Sequence, residues 1–403
     1  MSEAKEGNAE AKRSKVGAGS AGAEIKGDEF VPLAVLRNAH LMTIAAQFWR
    51  RKFPRLVRSE ARLFEVEPGT SVRGECHWQE RPRKHPTLVL LHGLEGSCES
   101  GYILGTAEKA YVAGFNVVRL NQRNCGGTEE LTPTLYHSGL SCDIRAVLLE
   151  LIAKDRLPEV FAAGFSMGGN LVLKMAGEFG DAAPPEVRGF VALAPAFDLA
   201  ACADALGLPS NFLYERHFVR RLKRRMRYKA RLFPDRYPLD GKMRNIRSVR
   251  EFDDVITAKF CGFANADDYY ARSSALRLVA SIRCPTLILT AKDDPFVPYA
   301  TFGDAAIREN PNVTLVATQY GGHCAFISRE RGEARFWAER KIVEYCRAQS
   351  TNQNLPQRHR DTEKYGERKG TAARLTTENT GKSQKLTTAR QGRNQKQEAP
   401  VIS

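Results

Sequence analysis

Val160-Phe161-Ala162-Ala163-Gly164-Phe165-Ser166-Met167-Gly168-Gly169-Asn170 joins an apolar run, a G-x-S-x-G turn and the start of an amphipathic segment that continues to residue 179. An apolar run without alternation reads as a strand buried on both faces, and the period of the following segment is helical. The turn between them forces the serine into a tight conformation. Side chains two residues away on either side would collide there, which accounts for both glycines. The serine Oγ is thereby presented to a pocket, beside the first N–H groups of a helix, which can stabilise an anion. With 32 glycines among 403 residues, a bare G-x-S-x-G arises by chance about 0.12 times, so the strand and helix around it carry the assignment. The pattern predicts a nucleophile elbow with Ser166 at its apex.

Working outward, short apolar runs at 87–91, 115–120, 160–163, 190–193 and 286–289 alternate with helix-length amphipathic segments at 101–113, 141–154 and 167–179. Buried strands joined by helices predict an α/β fold with a mostly parallel central sheet and helices on both faces. Residues 61–67 and 71–78 flank Pro68-Gly69-Thr70 and read as a β-hairpin. The 85 residues at 199–283 are too many for one strand-to-strand crossover, and their helical, basic content reads as an inserted cap. Residues 30–348 are thus one domain with a cap, between tails at 1–29 and 349–403 whose composition predicts disorder.

A serine alcohol needs a base, and the base needs an orienting acid. The run 286–290 ends in Ala291-Lys292-Asp293-Asp294-Pro295, which puts carboxylates at a strand end. Asp294, directly before the proline, is the preferred acid, while Asp293 is free to accept hydrogen bonds from loop amides. The next strand, 313–318, leads into Gly321-Gly322-His323, and His323 is the candidate general base. The chain order Ser, Asp, His at strand ends supports the set. For the oxyanion, His92-Gly93-Leu94-Glu95-Gly96-Ser97 follows the strand at 87–91, so the Leu94 amide is expected to pair with that of Met167. His92 reads as structural. His40, His137 and His217 lack partners at metal spacing, and neither a metal nor any other cofactor is expected.

Nine scattered cysteines without a C-x-x-C pair argue against a disulfide framework and a zinc site, and point to a reducing compartment. Residues 1–28 lack an apolar signal region and the greasiest stretch, 189–208, is broken by Pro195, Asp198 and Asp204, so a soluble, cytoplasmic chain is expected. The net charge of +15 is unevenly placed: the C-terminal tail holds +6, the N-terminal tail −1, and residues 216–250 alone hold +12. No nucleic-acid module accompanies that charge, and nucleic acid is not the expected partner. Phe212, Leu213, Phe218, Leu222, Met226 and Tyr228 are interspersed with the cap arginines. They either cover the pocket, the favoured reading, or form an interfacial helix on anionic membrane with Arg220, Arg221, Lys223, Arg224, Arg225 and Arg227.

Across residues 30–347 the chain resembles the YheT-type branch of the α/β-hydrolases, AB hydrolase family 4. The resemblance rests on His92-Gly93-Leu94-Glu95-Gly96-Ser97, Tyr136-His137-Ser138-Gly139, Gly164 through Asn170, Arg250-Glu251-Phe252-Asp253-Asp254, Asp294-Pro295-Phe296 and Gly321-Gly322-His323. It departs at Asn38-Ala39-His40-Leu41-Met42-Thr43, where the family usually reads Asn-Pro-His-Leu-Gln-Thr, and at Arg123-Asn124-Cys125, where it reads Arg-Gly-Cys. Asn tolerates the left-handed conformation that Gly would supply. The resemblance implies an α/β-hydrolase fold and hydrolysis of carboxylic esters, from short-chain esters to acylglycerols and phospholipids. Acyl transfer, linked in the family to His-x4-Asp, is disfavoured because no histidine here has Asp five positions on. The competing readings are a phospholipid-directed lipase at anionic membrane surfaces and a non-catalytic binding module on the same fold.

Overall fold

The computed structural model describes residues 29–239, 241–352 and 355. Its strands are β1 (Glu60–Glu67), β2 (Thr70–His77), β3 (Thr87–Leu91), β4 (Asn116–Leu120), β5 (Val160–Phe165), β6 (Val187–Leu193), β7 (Thr286–Ala291) and β8 (Val313–Thr318). They form one sheet in the order β1-β2-β4-β3-β5-β6-β7-β8. The β1–β2 and β2–β4 pairs are antiparallel and all others parallel. The helices are α1 (Ala39–Phe48), α2 (Gly101–Val112), α3 (Ser141–Ala153), α4 (Met167–Phe179), α5 (Leu199–Leu206), α6 (Phe212–Leu232), α7 (Val249–Phe252), α8 (Lys259–Cys261), α9 (Ala266–Ser273), α10 (Ala305–Arg308) and α11 (Trp337–Gln349).

Successive side chains of a strand point to opposite faces, and here both faces are covered. Leu88, Leu90, Phe161, Ala163, Leu287 and Leu289 enter a core shared with Ile103 and Ala107 of α2 and Ile342 and Cys346 of α11. Their neighbours Val89, Leu91, Val160, Ala162 and Ile288 enter a second core with Val147 and Leu148 of α3 and Leu171 and Val172 of α4. At about 1.5–3 kcal/mol for each fully buried large apolar side chain, these two layers hold the sheet rigid behind its strand ends.

Elements α5 to α9 lie between β6 and β7 and form the inserted helical cap; a π-helical turn, Asp253–Ala258, joins α7 to α8. Leu222 and Met226 of α6 join the second core. Strand β6 starts three residues before the apolar run, because Val187 pairs with Val160 although Arg188 interrupts the pattern. Asn124 has φ 61°, the left-handed conformation expected where the family carries glycine.

One boundary needs correction. Helix α11 runs to Gln349, the Ser350 and Thr351 side chains donate to the Glu159 carboxylate, and Asn352 Nδ2 donates to the Lys84 carbonyl at 2.7 Å. The expected tail beginning at 349 therefore starts too early, because polar residues are held there by partners about 190 and 270 positions away in sequence. The expected disorder of residues 1–28, 353–354 and 356–403 lies outside the described residues. No helix among the described residues is long and apolar enough to cross a membrane.

Candidate active site

Ser166 sits between the last residue of β5 and the first of α4, with φ 54° and ψ −118°. A non-glycine residue in that region stores roughly 1–3 kcal/mol of strain, so the surroundings must hold it. Its N–H donates to the Leu193 carbonyl at 2.9 Å, and its carbonyl accepts from Asn170 and Ala196. The flanking glycines are required by contact: a Cβ on Gly164 would stand 2.1 Å from the Gly168 carbonyl oxygen, and one on Gly168 2.5 Å from the His92 carbonyl oxygen.

Asp294 leaves the end of β7 and His323 follows β8, so parallel neighbours deliver both to the same sheet edge. Asp294 Oδ2 lies 2.8 Å from His323 Nδ1, and the Asp294 side chain is fully buried. Its Oδ1 accepts the backbone N–H groups of Phe296 at 2.8 Å and Val297 at 3.1 Å, which fixes the carboxylate plane. An ionised carboxylate can only accept, so Nδ1 carries the proton of the neutral imidazole, the form in which Nε2 presents a lone pair. Burial opposes the imidazolium and is the largest single influence, but the Asp294 carboxylate and the neighbouring Cys324 together outweigh it, and the net effect holds His323 well above the ordinary histidine range. Asp293 is turned differently: its Oδ1 accepts the Gly322 N–H at 3.0 Å and burial raises its pKa.

Ser166 and His323 line one cavity of about 140 Å³ beneath the cap, walled by Leu199 and Leu206 of α5 and Phe218, Leu222 and Met226 of α6. No Ser166–His323 hydrogen bond is formed among the described residues. Leu94 and Met167 line the same cavity, and the amides of both donate to no protein acceptor among the described residues. His92 lies outside this set. Its Nε2 accepts the Gln122 N–H at 3.2 Å, its Nδ1–H donates to the Gly93 carbonyl at 2.8 Å, and burial lowers its pKa to about 4, keeping it neutral within the loop. Burial likewise lowers His137 to about 4. Among the described residues no group of three or more His, Cys, Asp or Glu is disposed to hold a metal ion.

Two contributors escaped the sequence reading. Thr43 of α1 accepts the His323 backbone N–H at 2.9 Å while its own hydroxyl donates to the Ala39 carbonyl at 2.7 Å. This gives the departing Asn38-to-Thr43 segment a place at the site; the family motif marked the segment, but nothing local marked its target. Glu95, next to Leu94, is the other. Its carboxylate accepts from Tyr136 Oη at 2.7 Å and from Arg225 Nη2 at 3.2 Å, and its carbonyl accepts from Arg221 at 2.8 Å. The cap is thereby bound to the loop that carries Leu94. Arg225 consequently faces inward, and Arg221, its side chain 39% exposed, leans on the same loop, so these two leave the cation row that the interfacial alternative invoked: a buried guanidinium is held where a carboxylate can pair with it. Of the interspersed apolar residues, Phe218, Leu222 and Met226 face the cavity, as favoured, whereas Phe212, Leu213 and Tyr228 are exposed.

The family model for the alpha/beta hydrolase fold matches residues 86–330. Over 321 residues the chain is 32% identical to the YheT protein of Escherichia coli (strain K12), covering 79% of this chain and 92% of that one. It is 32% identical to phospholipase ABHD3 of Mus musculus over 60% of this chain and 58% of that protein. With the monoacylglycerol lipase of Saccharomyces cerevisiae (strain ATCC 204508 / S288c) it shares 29% identity over 63% and 57%, respectively.

Proposed function

Since this chain belongs to the α/β-hydrolase family, in its YheT-type branch, we propose that it cleaves carboxylic esters with Ser166 as nucleophile, His323 as general base and Asp294 as the orienting acid. The observation that carries this reading is a buried Asp294–His323 pair opening on the cavity that also receives a serine held at positive φ. With Nδ1–H committed to Asp294, Nε2 takes the Ser166 proton as Oγ adds to the ester carbonyl carbon. The carbonyl π pair moves onto oxygen, where the amides of Leu94 and Met167 receive the charge. Collapse expels the alcohol, protonated by His323, and leaves an acyl-enzyme. Water, deprotonated by the same nitrogen, then releases the carboxylic acid and restores the serine. No cofactor enters the cycle.

The apolar walls from α5 and α6 support an acyl chain as the buried part of the substrate, which fits short- or medium-chain esters and acylglycerols. The relatives named a phospholipase and a monoacylglycerol lipase support the same range. All nine cysteines are free, which supports a cytoplasmic, reducing location. The experiment is labelling with a fluorophosphonate probe, located by peptide mass spectrometry, followed by hydrolysis of p-nitrophenyl esters from acetate to palmitate. Labelling of Ser166 with turnover is expected. An unlabelled, folded protein that still binds esters would make it a binding module instead.

Thr43 acts as a positioning residue in this scheme. Thr43→Val leaves the His323 N–H without an acceptor, at a cost of about 1–3 kcal/mol, so kcat is expected to fall roughly tenfold with KM little changed. Thr43→Ser keeps the acceptor and restores kcat. Steady-state kinetics of both variants decide the point; equal losses would reduce Thr43 to packing.

A further inference from the structure

The outer face of the cap helix is not used by the reading above. Arg216, Arg220, Arg224, Arg227 and Arg231 recur at spacings of four, four, three and four, which lines them along one side of α6. All five are exposed, and none forms a salt bridge with an acidic side chain among the described residues. Arg224, Arg227 and Arg231 also border one shallow surface depression with Tyr237. The same line continues to Leu213, 74% exposed, Phe212 opens the helix, and Leu208 stands just before the turn that leads into it, both more than half exposed.

Helix α1 adjoins this end. Its Leu41, Ile44 and Phe48, spaced three and four apart, are all exposed, Phe48 by 78%. The two helices are joined where Tyr214 stacks on His40 at 5.7 Å and its hydroxyl donates to the His40 carbonyl. Tyr214 also packs edge-on against Phe296 at 4.7 Å, and Phe296 lies 4.7 Å from the His323 ring. An exposed apolar patch two ring contacts from the site thus adjoins a row of cations without acidic partners among the described residues.

We propose that this surface docks on a bilayer carrying anionic lipid headgroups, the arginine row along the headgroups and Leu213, Phe212, Phe48, Ile44 and Leu41 at the acyl boundary. Cations flanking exposed apolar side chains are what such an interface recognises. A second copy of the chain fits poorly, since symmetric pairing would set the arginines against each other. A nucleic acid would use the cations but leave the apolar patch in water.

The test does not depend on catalysis and uses the Ser166→Ala protein beside the full chain. Binding is expected to vesicles of phosphatidylcholine with about a third phosphatidylserine and not to phosphatidylcholine alone, and to weaken steeply from about 50 to 500 mM salt. Changing Arg216, Arg220, Arg224 and Arg227 to Gln should lower partitioning about 10³-fold while hydrolysis of a soluble short-chain ester is unchanged. A Leu213→Ser, Phe48→Ser pair should lower it as well, and a chain ending at Asn352 should bind like the full one. Loss of binding on that truncation assigns it to the +6 tail and overturns the proposal. Undiminished binding by the four-Gln variant, or capture of duplex nucleic acid with no vesicle binding, overturns it too.

Discussion

Ser166→Ala is expected to lower kcat by up to about 10⁶-fold with the fold intact, because the nucleophile, base and acid act as a unit and only binding and oxyanion stabilisation remain. The elbow strain makes the size of the stability change predictable as well. Alanine keeps the Cβ, so the positive φ and its cost persist, and the melting temperature should stay within a few degrees of the parent. Single-turnover hydrolysis of a p-nitrophenyl ester checks the first expectation and thermal unfolding the second. Retention of more than about a tenth of the activity would place the nucleophile elsewhere.

Asp294→Asn is expected to cost about 10⁴ in kcat, since an amide can donate to Nδ1 and so stabilise the wrong tautomer, with the proton on Nε2. It should also move the pH profile. The base works neutral, and with burial outweighed by Asp294 and Cys324 together its pKa lies above the usual histidine range. kcat/KM therefore falls as pH drops through that raised value, and removing the carboxylate shifts the acid limb to lower pH. Asp293→Asn leaves the imidazole's partner in place and still offers an oxygen to the Gly322 amide, so a much smaller loss is expected. pH-dependent kinetics of the two variants decide between the aspartates. The reverse ranking would exchange their roles.

The parallel strands were legible because burial on both faces leaves runs such as Thr87–Leu91 without polar alternation, and the elbow was legible because its glycines answer a local steric demand. The pairing of Asp294 with His323 was legible from chain order instead, Asp294 lying in the loop after the buried β7 and His323 in the loop after the half-buried edge strand β8. What stayed hidden is non-local. Nothing near Thr43 announces that its hydroxyl accepts from a residue 280 positions later. Charge counting could place a basic excess in α6, but not divide it. Distant partners decide that: Glu95, Asn124 and Cys125 turn Arg225 inward and Glu95 draws Arg221 to the same loop, while Arg220 and Arg224 stay outside. Lys229 follows the same logic: it is fully buried, donates to the carbonyls of Glu129 and Thr132, and burial lowers its pKa to about 8. The π-helical turn at Asp253–Ala258 has no signature in hydrophobic period at all.

The bond from His323 to Thr43 also sets an order in time. Helix α1 is synthesised before any strand of the sheet, whereas its acceptor role is taken up only when the loop after β8 exists; Arg51 waits still longer for Glu339, 288 positions on. At roughly 5–20 residues per second the first interval alone is about 14 to 56 s. A nascent chain thus carries its strained serine turn well before the histidine that would activate it, and the histidine loop is clamped only once both ends of the domain have met. Hydrolytic competence is in this sense a property of the finished chain, arriving as one late, long-range closure rather than growing with the sheet.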